Sequence, residues 1–159
     1  MSSDSWKAFL EALRHEAELL ARVDASALAL TDALVQNDVR RIESANARLE
    51  QDGRAHQVAA KARQTMQRRG FGDIPLSRVI GYAPRTVRMR LRGYLSELTY
   101  RAISVGITTK NNKRLILAGM DRLLKVVMLL QRAVSDQPRT YKRHGFAAPD
   151  NSVLVSSRA

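Results

Sequence analysis

Apolar residues recur at steps of three and four almost from the start of the chain. Trp6, Phe9, Leu13, Ala17, Leu20, Val23, Ala27, Leu30 and Leu34 form one such series, the repeat of a helix that buries a single stripe. Ser5 or Asp4 can cap its first turn by accepting from N–H groups that have no helical partner. A helix over residues 5–37 follows, about 50 Å long at 1.5 Å per residue. A rod of that length in a chain of 159 residues needs other rods beside it.

The QNDVRR segment places a turn former, Asn37, next to a good N-cap, Asp38. The repeat resumes with Val39, Ile42, Ala45, Leu49, Ala55, Ala59, Ala62 and Met66, which predicts a second helix over 38–69. Passage through Asn37 without a break, giving one continuous rod, is the alternative reading. The second stripe is alanine-rich and contains Gly53, so it buries little area per turn and predicts the less firmly packed helix. Gly70, Gly72, Pro75, Gly81 and Pro84 then mark a connection over 70–84. Within it, IPLSRVIGY is apolar enough to form a turn of helix against the rest.

A third helix over 85–134 can open at Pro84, whose fixed φ suits a first turn. Its series runs Val87, Leu91, Tyr94, Leu98, Ala102, Val105, Thr109, Asn112, Ile116, Gly119, Leu123, Val126, Leu130 and Ala133. One helix, or two joined near Gly106, fits the pattern. Thr109 and Asn112 are polar positions on the stripe, where such residues usually set register. From Lys110 to Leu130 apolar residues are too many for one face. Asn112, Ile116, Gly119, Leu123, Val126 and Leu130 form one stripe, predicted to be core with Asn112 and Ile116 inward. Leu117, Met120, Leu124, Val127 and Met128 form a second, which is either further core or a surface for a partner. The fold expected is all-α: three main helices in an antiparallel, coiled-coil-like bundle over 1–134 and a mobile tail over 135–159.

Composition narrows the function. Cysteine is absent, which removes disulfides, thiolate metal sites and cysteine nucleophiles. The N-terminus does not read as a signal peptide, and the longest apolar run is too short and too charged to span a membrane. A soluble, cytoplasmic protein is expected. The formal charge of +12 is uneven: residues 1–37 carry −3, residues 38–83 carry +4, and residues 84–159 carry +11. Acidic partners would be steered to the C-terminal half. His15, His56 and His144 have no ligand-spaced partners, and there is no HExxH, GxSxG, Walker or GxGxxG motif, so no enzyme, metal or cofactor is expected. Arg85, Arg88 and Arg92 share one helical face, with Arg101 further along. They can contact nucleic-acid phosphates or simply solvate a rod and cover apolar surface with their stems. A structural coiled-coil adaptor is a third possibility.

The segment N-x-x-L-I at Asn112, Leu115 and Ile116, followed by an apolar run and by T-Y-x-x-x-G at Thr140 to Gly145, resembles the C-terminal signature of the FlgN family. The layout is similar as well, from a first helix containing LLARVDASALAL to a long last helix. Thr109 stands where the family often has a second asparagine, and Lys142 and Arg143 follow the tail tyrosine where small or polar residues are usual. The resemblance implies a cytoplasmic flagellar type III export chaperone. Such a protein holds hook-associated proteins, the hook–filament junction subunits, unpolymerised through their amphipathic C-terminal helices and delivers them to the export gate. On this reading Leu117, Met120, Leu124, Val127 and Met128 are cargo anchors, with Arg122, Lys125 and Arg132 meeting acidic cargo residues, and Tyr141 contacts the export gate.

Overall fold

The computed structural model describes residues 3–135, and all four of its elements are helices: α1 (Ser3–Gln36), α2 (Val39–Phe71), α3 (Leu76–Tyr82) and α4 (Arg85–Ser135). The tail expected beyond Ser135, with Tyr141, lies outside the described residues. The chain divides into two compact units, 1–119 and 120–159. No described helix is long and apolar enough to cross a membrane.

The turn at Asn37 settles the first alternative. Asn37 has φ +54°, the left-handed conformation that asparagine tolerates better than most residues. Its N–H donates to Leu34 O at 3.2 Å, and the Asp38 N–H donates to Ala33 O at 3.2 Å, the paired closure that terminates a helix. Asp38 then caps α2 by accepting from the Arg41 N–H at 3.1 Å. One polar pair thus stops one helix and starts the next. At the other end Gly72, φ +74°, closes α2 with its N–H on Arg68 O. IPLSRVIGY supplies α3, whose Val79 is fully buried. α4 is unbroken at Gly106.

α1 is the helix with two covered faces. Toward α2 it presents Glu16, Leu19, Val23, Ser26, Leu30 and Ala33, all buried. Glu16 pairs with Arg63, and the Ser26 hydroxyl donates to the Asp52 carboxylate. The partners ascend on α1 as they descend on α2, so these two helices run antiparallel. Toward α4, Asp24 and Ala27 meet Ser104 and Asn112, and here the numbers ascend together. At the N-terminal end of α1 a cluster of Trp6, Phe9, Leu13, Val79, Ala83 and Leu91 is buried from three helices, with Phe71 and Ile74 packed against it. Trp6, Phe9 and Phe71 meet edge-on or tilted, their centroids 5.2–6.2 Å apart.

The buried stripes of α2 and α4 differ from those expected. On α4 the positions facing inward are Val87, Leu91, Tyr94, Leu98, Arg101, Val105, Thr108 and Asn112, whereas Ala102 and Thr109 are exposed. On α2 they are Ile42, Ala45, Leu49, Asp52, His56, Ala59, Arg63 and Gln67, whereas Ala55, Ala62 and Met66 are exposed. The cause is the same in both helices. Inward positions carry charged or amide side chains that find partners on α1, and a series drawn through apolar residues slips onto the neighbouring alanine or threonine.

Candidate functional site

Asn112 is 4 % exposed. Its Nδ2 donates to Ala27 O at 3.0 Å, and its Oδ1 lies 2.7 Å from the Thr31 hydroxyl, which also lies 3.1 Å from Ala27 O and has one proton to give. Two turns earlier the Ser104 hydroxyl donates to Asp24 Oδ1 at 2.8 Å. Arg101 reaches Asp24 at 3.9 Å and Glu97 at 3.1 Å. Asn112 is therefore a positioning residue inside the fold. A buried polar group costs free energy unless it is bonded, so these pairs favour one register of α4 over its neighbours.

Ile116 does not face inward. It is 44 % exposed, and the rest of its stripe, Leu123, Val126 and Leu130, is exposed as well. The expectation that this stripe is core is corrected: α1 is the helix with two covered sides. α1 ends at Gln36, and its last bond to α4 among those above is from Thr31. The second stripe is exposed too: Leu117 and Met120 at 55 %, Leu124, Val127 and Met128 at 48–63 %. Leu115, at 36 %, and Leu129 join them. Arg122 and Arg132 are exposed, and Lys125 pairs with Asp121 one turn back at 2.7 Å, with both side chains mostly in solvent. All of these residues lie on α4, and from Met120 onward they belong to the second unit. Tyr141 lies outside the described residues, so its place relative to them is not part of this geometry.

Helical spacing puts Met120, Leu124, Val127 and Met128 on one side, at i, i+4, i+7 and i+8. Their bodies are uncovered and their flanks are basic. Such a face can take the apolar side of another helix, with each anchor contributing up to about 1.5–3 kcal/mol if buried completely. Scattered exposed apolar residues are ordinary in soluble proteins; a contiguous run of them marks an interaction surface.

Two features of the first unit were missed by reading apolar periodicity. One is the Glu16–Arg63 pair, a two-pronged contact at 2.7 and 3.0 Å between side chains only 6 % and 12 % exposed. Arg63 also donates to Gln67, and Gln67 donates to Ile74 O, so the network ties α1 through α2 to the connection. The other is a groove between the first turns of α1 and α4. The only hint of either was the excess of charge on helices whose stripes seemed complete without it. Among the described residues no three His, Asp or Glu side chains gather as a metal would require. Comparison with family models, with curated proteins and with solved structures returns no match.

Proposed function

We propose that this chain is a non-enzymatic export chaperone of the FlgN type, a three-helix antiparallel coiled-coil-like bundle. In this reading it is cytoplasmic and binds the amphipathic C-terminal helix of hook-associated proteins. It keeps them from polymerising prematurely and hands them to the type III export gate, with Tyr141 as the gate contact. The observation that carries the proposal is the uncovered apolar face of α4 from Leu117 to Leu130, beside a buried Asn112 that holds the preceding turns in register. Methionine at two anchor positions suits a surface that accepts more than one cargo, because its side chain is unbranched and polarizable. Arg122, Lys125 and Arg132 supply the charge that an acidic cargo helix would meet.

A pull-down with the C-terminal helix of a hook-associated protein tests this directly. Retention by the native chain, lost on Met120→Asp or Leu124→Asp, is the expected result. Undiminished retention by both variants rules out the face as the cargo site. A second reading, a basic nucleic-acid-binding protein, draws on Arg85 and Arg92, which are exposed and have no ion-pair partner among the described residues. It predicts DNA or RNA binding that weakens steeply with salt and disappears when Arg85, Arg88 and Arg92 are replaced together.

A further inference from the structure

The opposite end of α4 holds a concavity that the chaperone reading leaves unused. Between the first turns of α1 and α4 lies a groove of about 510 Å³ lined by Trp6, Leu10, Pro84 and Val87, with the cationic side chains of Lys7 and Arg90 also on its wall. Its size falls within the range of ligand pockets, roughly 300–1,000 Å³. Lys7 and Leu10 are three residues apart on α1, as are Val87 and Arg90 on α4, so each helix turns an apolar and a cationic group to the same opening, and Trp6 adds a second apolar group from α1.

Charge identifies the kind of occupant. Between Asp73 and Glu97 the chain has Arg78, Arg85, Arg88, Arg90 and Arg92 and no carboxylate. Arg90 is exposed and has no ion-pair partner among the described residues. Lys7 has one, Asp4, at 3.6 Å, with both side chains mostly in solvent; such pairs contribute little and are readily exchanged. The apolar lining discriminates between acidic partners. Trp6 is only 5 % exposed, too little open ring area for a nucleobase to stack on it. An aliphatic or aromatic side chain can enter beside it.

We propose that this groove docks an acidic amphipathic peptide segment, one apolar side chain entering between Trp6, Leu10 and Val87 while flanking carboxylates pair with Lys7 and Arg90. The site is independent of the exposed face on the C-terminal half of α4. The probe is a short fluorescein-labelled helical peptide with leucines along one face and glutamates elsewhere, titrated against the full chain. Trp6 is the single tryptophan, so its emission reports occupancy of the groove directly.

Binding by the native chain with a change in Trp6 emission is expected. The double variant Lys7→Glu, Arg90→Glu should weaken it tenfold or more, since rim charges of the wrong sign repel such a ligand. The milder Lys7→Gln, Arg90→Gln should weaken it less, and circular dichroism should show each variant fully helical. Replacing the peptide's glutamates by glutamines, or its leucines by serines, should have a comparable effect. Leu124→Asp, which lies outside the groove, should leave the change in Trp6 emission in place, whatever it does to peptide held on the exposed face of α4. The proposal is overturned if the charge variants bind like the native chain, or if the all-glutamine peptide binds as tightly. It is equally overturned if Leu124→Asp abolishes the change in Trp6 emission, which would tie the peptide to the C-terminal half of α4. An oligothymidylate that competes at equal concentration and is lost with the same two charges would make the surface a nucleic-acid site and end the peptide reading.

Discussion

Glu16 and Arg63 show how few side chains can decide the arrangement of long helices. Each is nearly buried, and each satisfies the other with two hydrogen bonds. Removing one partner leaves a charge in a poor solvent without its counter-ion, which typically costs about 3–5 kcal/mol. Arg63→Met should therefore lower the urea midpoint substantially at unchanged slope. Combining it with Glu16→Leu should restore most of the loss, because an apolar pair of similar volume has no charge to desolvate. A double variant no more stable than the single one would show that the pair acts through something other than mutual compensation. Asn112 belongs to the same class of residue: a polar side chain whose worth lies in choosing one register, bonded to Ala27 O and the Thr31 hydroxyl.

At the scale of elements the helices are held unequally. α1 buries residues along nearly its whole length, whereas Ala59 and Gln67 are the buried residues of α2. The opening half of α2, from Val39 to about Gly53, contacts its neighbours through half-buried Ile42, Ala45, Leu49 and Asp52. Local opening free energy follows buried apolar contact, so amide hydrogens of Arg41–Glu50 should exchange faster than those of Leu13–Leu30. Equal protection across both segments would mean the two helices open as one unit. α4 changes character along its length, from half-buried Val87, Tyr94 and Leu98 to the exposed residues after Leu115. One covalent helix thus carries a half-buried stretch and an uncovered one.

At the scale of the molecule, the exposed apolar face makes a prediction about stability. Burial of such a face in the chain's own core would make Leu124→Asp strongly destabilising, by several kcal/mol. With Leu124 63 % exposed, the substitution should shift stability by no more than about 0.5 kcal/mol while reducing binding of a hydrophobic dye such as ANS. A drop of many degrees in the thermal midpoint would show that the face is covered within the folded chain. The same variant separates binding on the proposed cargo face of α4 from binding at the groove beside Trp6.

Much of this was legible in the residues alone. The helical class, the turn at Asn37–Asp38, the breaker-rich connection with its short α3, and the surplus of apolar residues after Lys110 all follow from local preferences: φ tolerance, capping, proline and glycine placement, and spacing along a helix. Those preferences act over a few residues, so they can be read in order. Two things could not be read that way. Which helix occupies the middle depends on which pairs across the fold are satisfied, and only the bonds from Glu16, Asp24, Ser26 and Ala27 place α1 there. Which of two adjacent registers faces inward depends on partners some 26 to 85 positions away in sequence: Arg101 is chosen over Ala102 because Asp24 lies opposite it, and Thr108 turns inward on the same face. Periodicity counts apolar residues, and a seam built partly from paired polar ones is invisible to it until the opposing helix is in place.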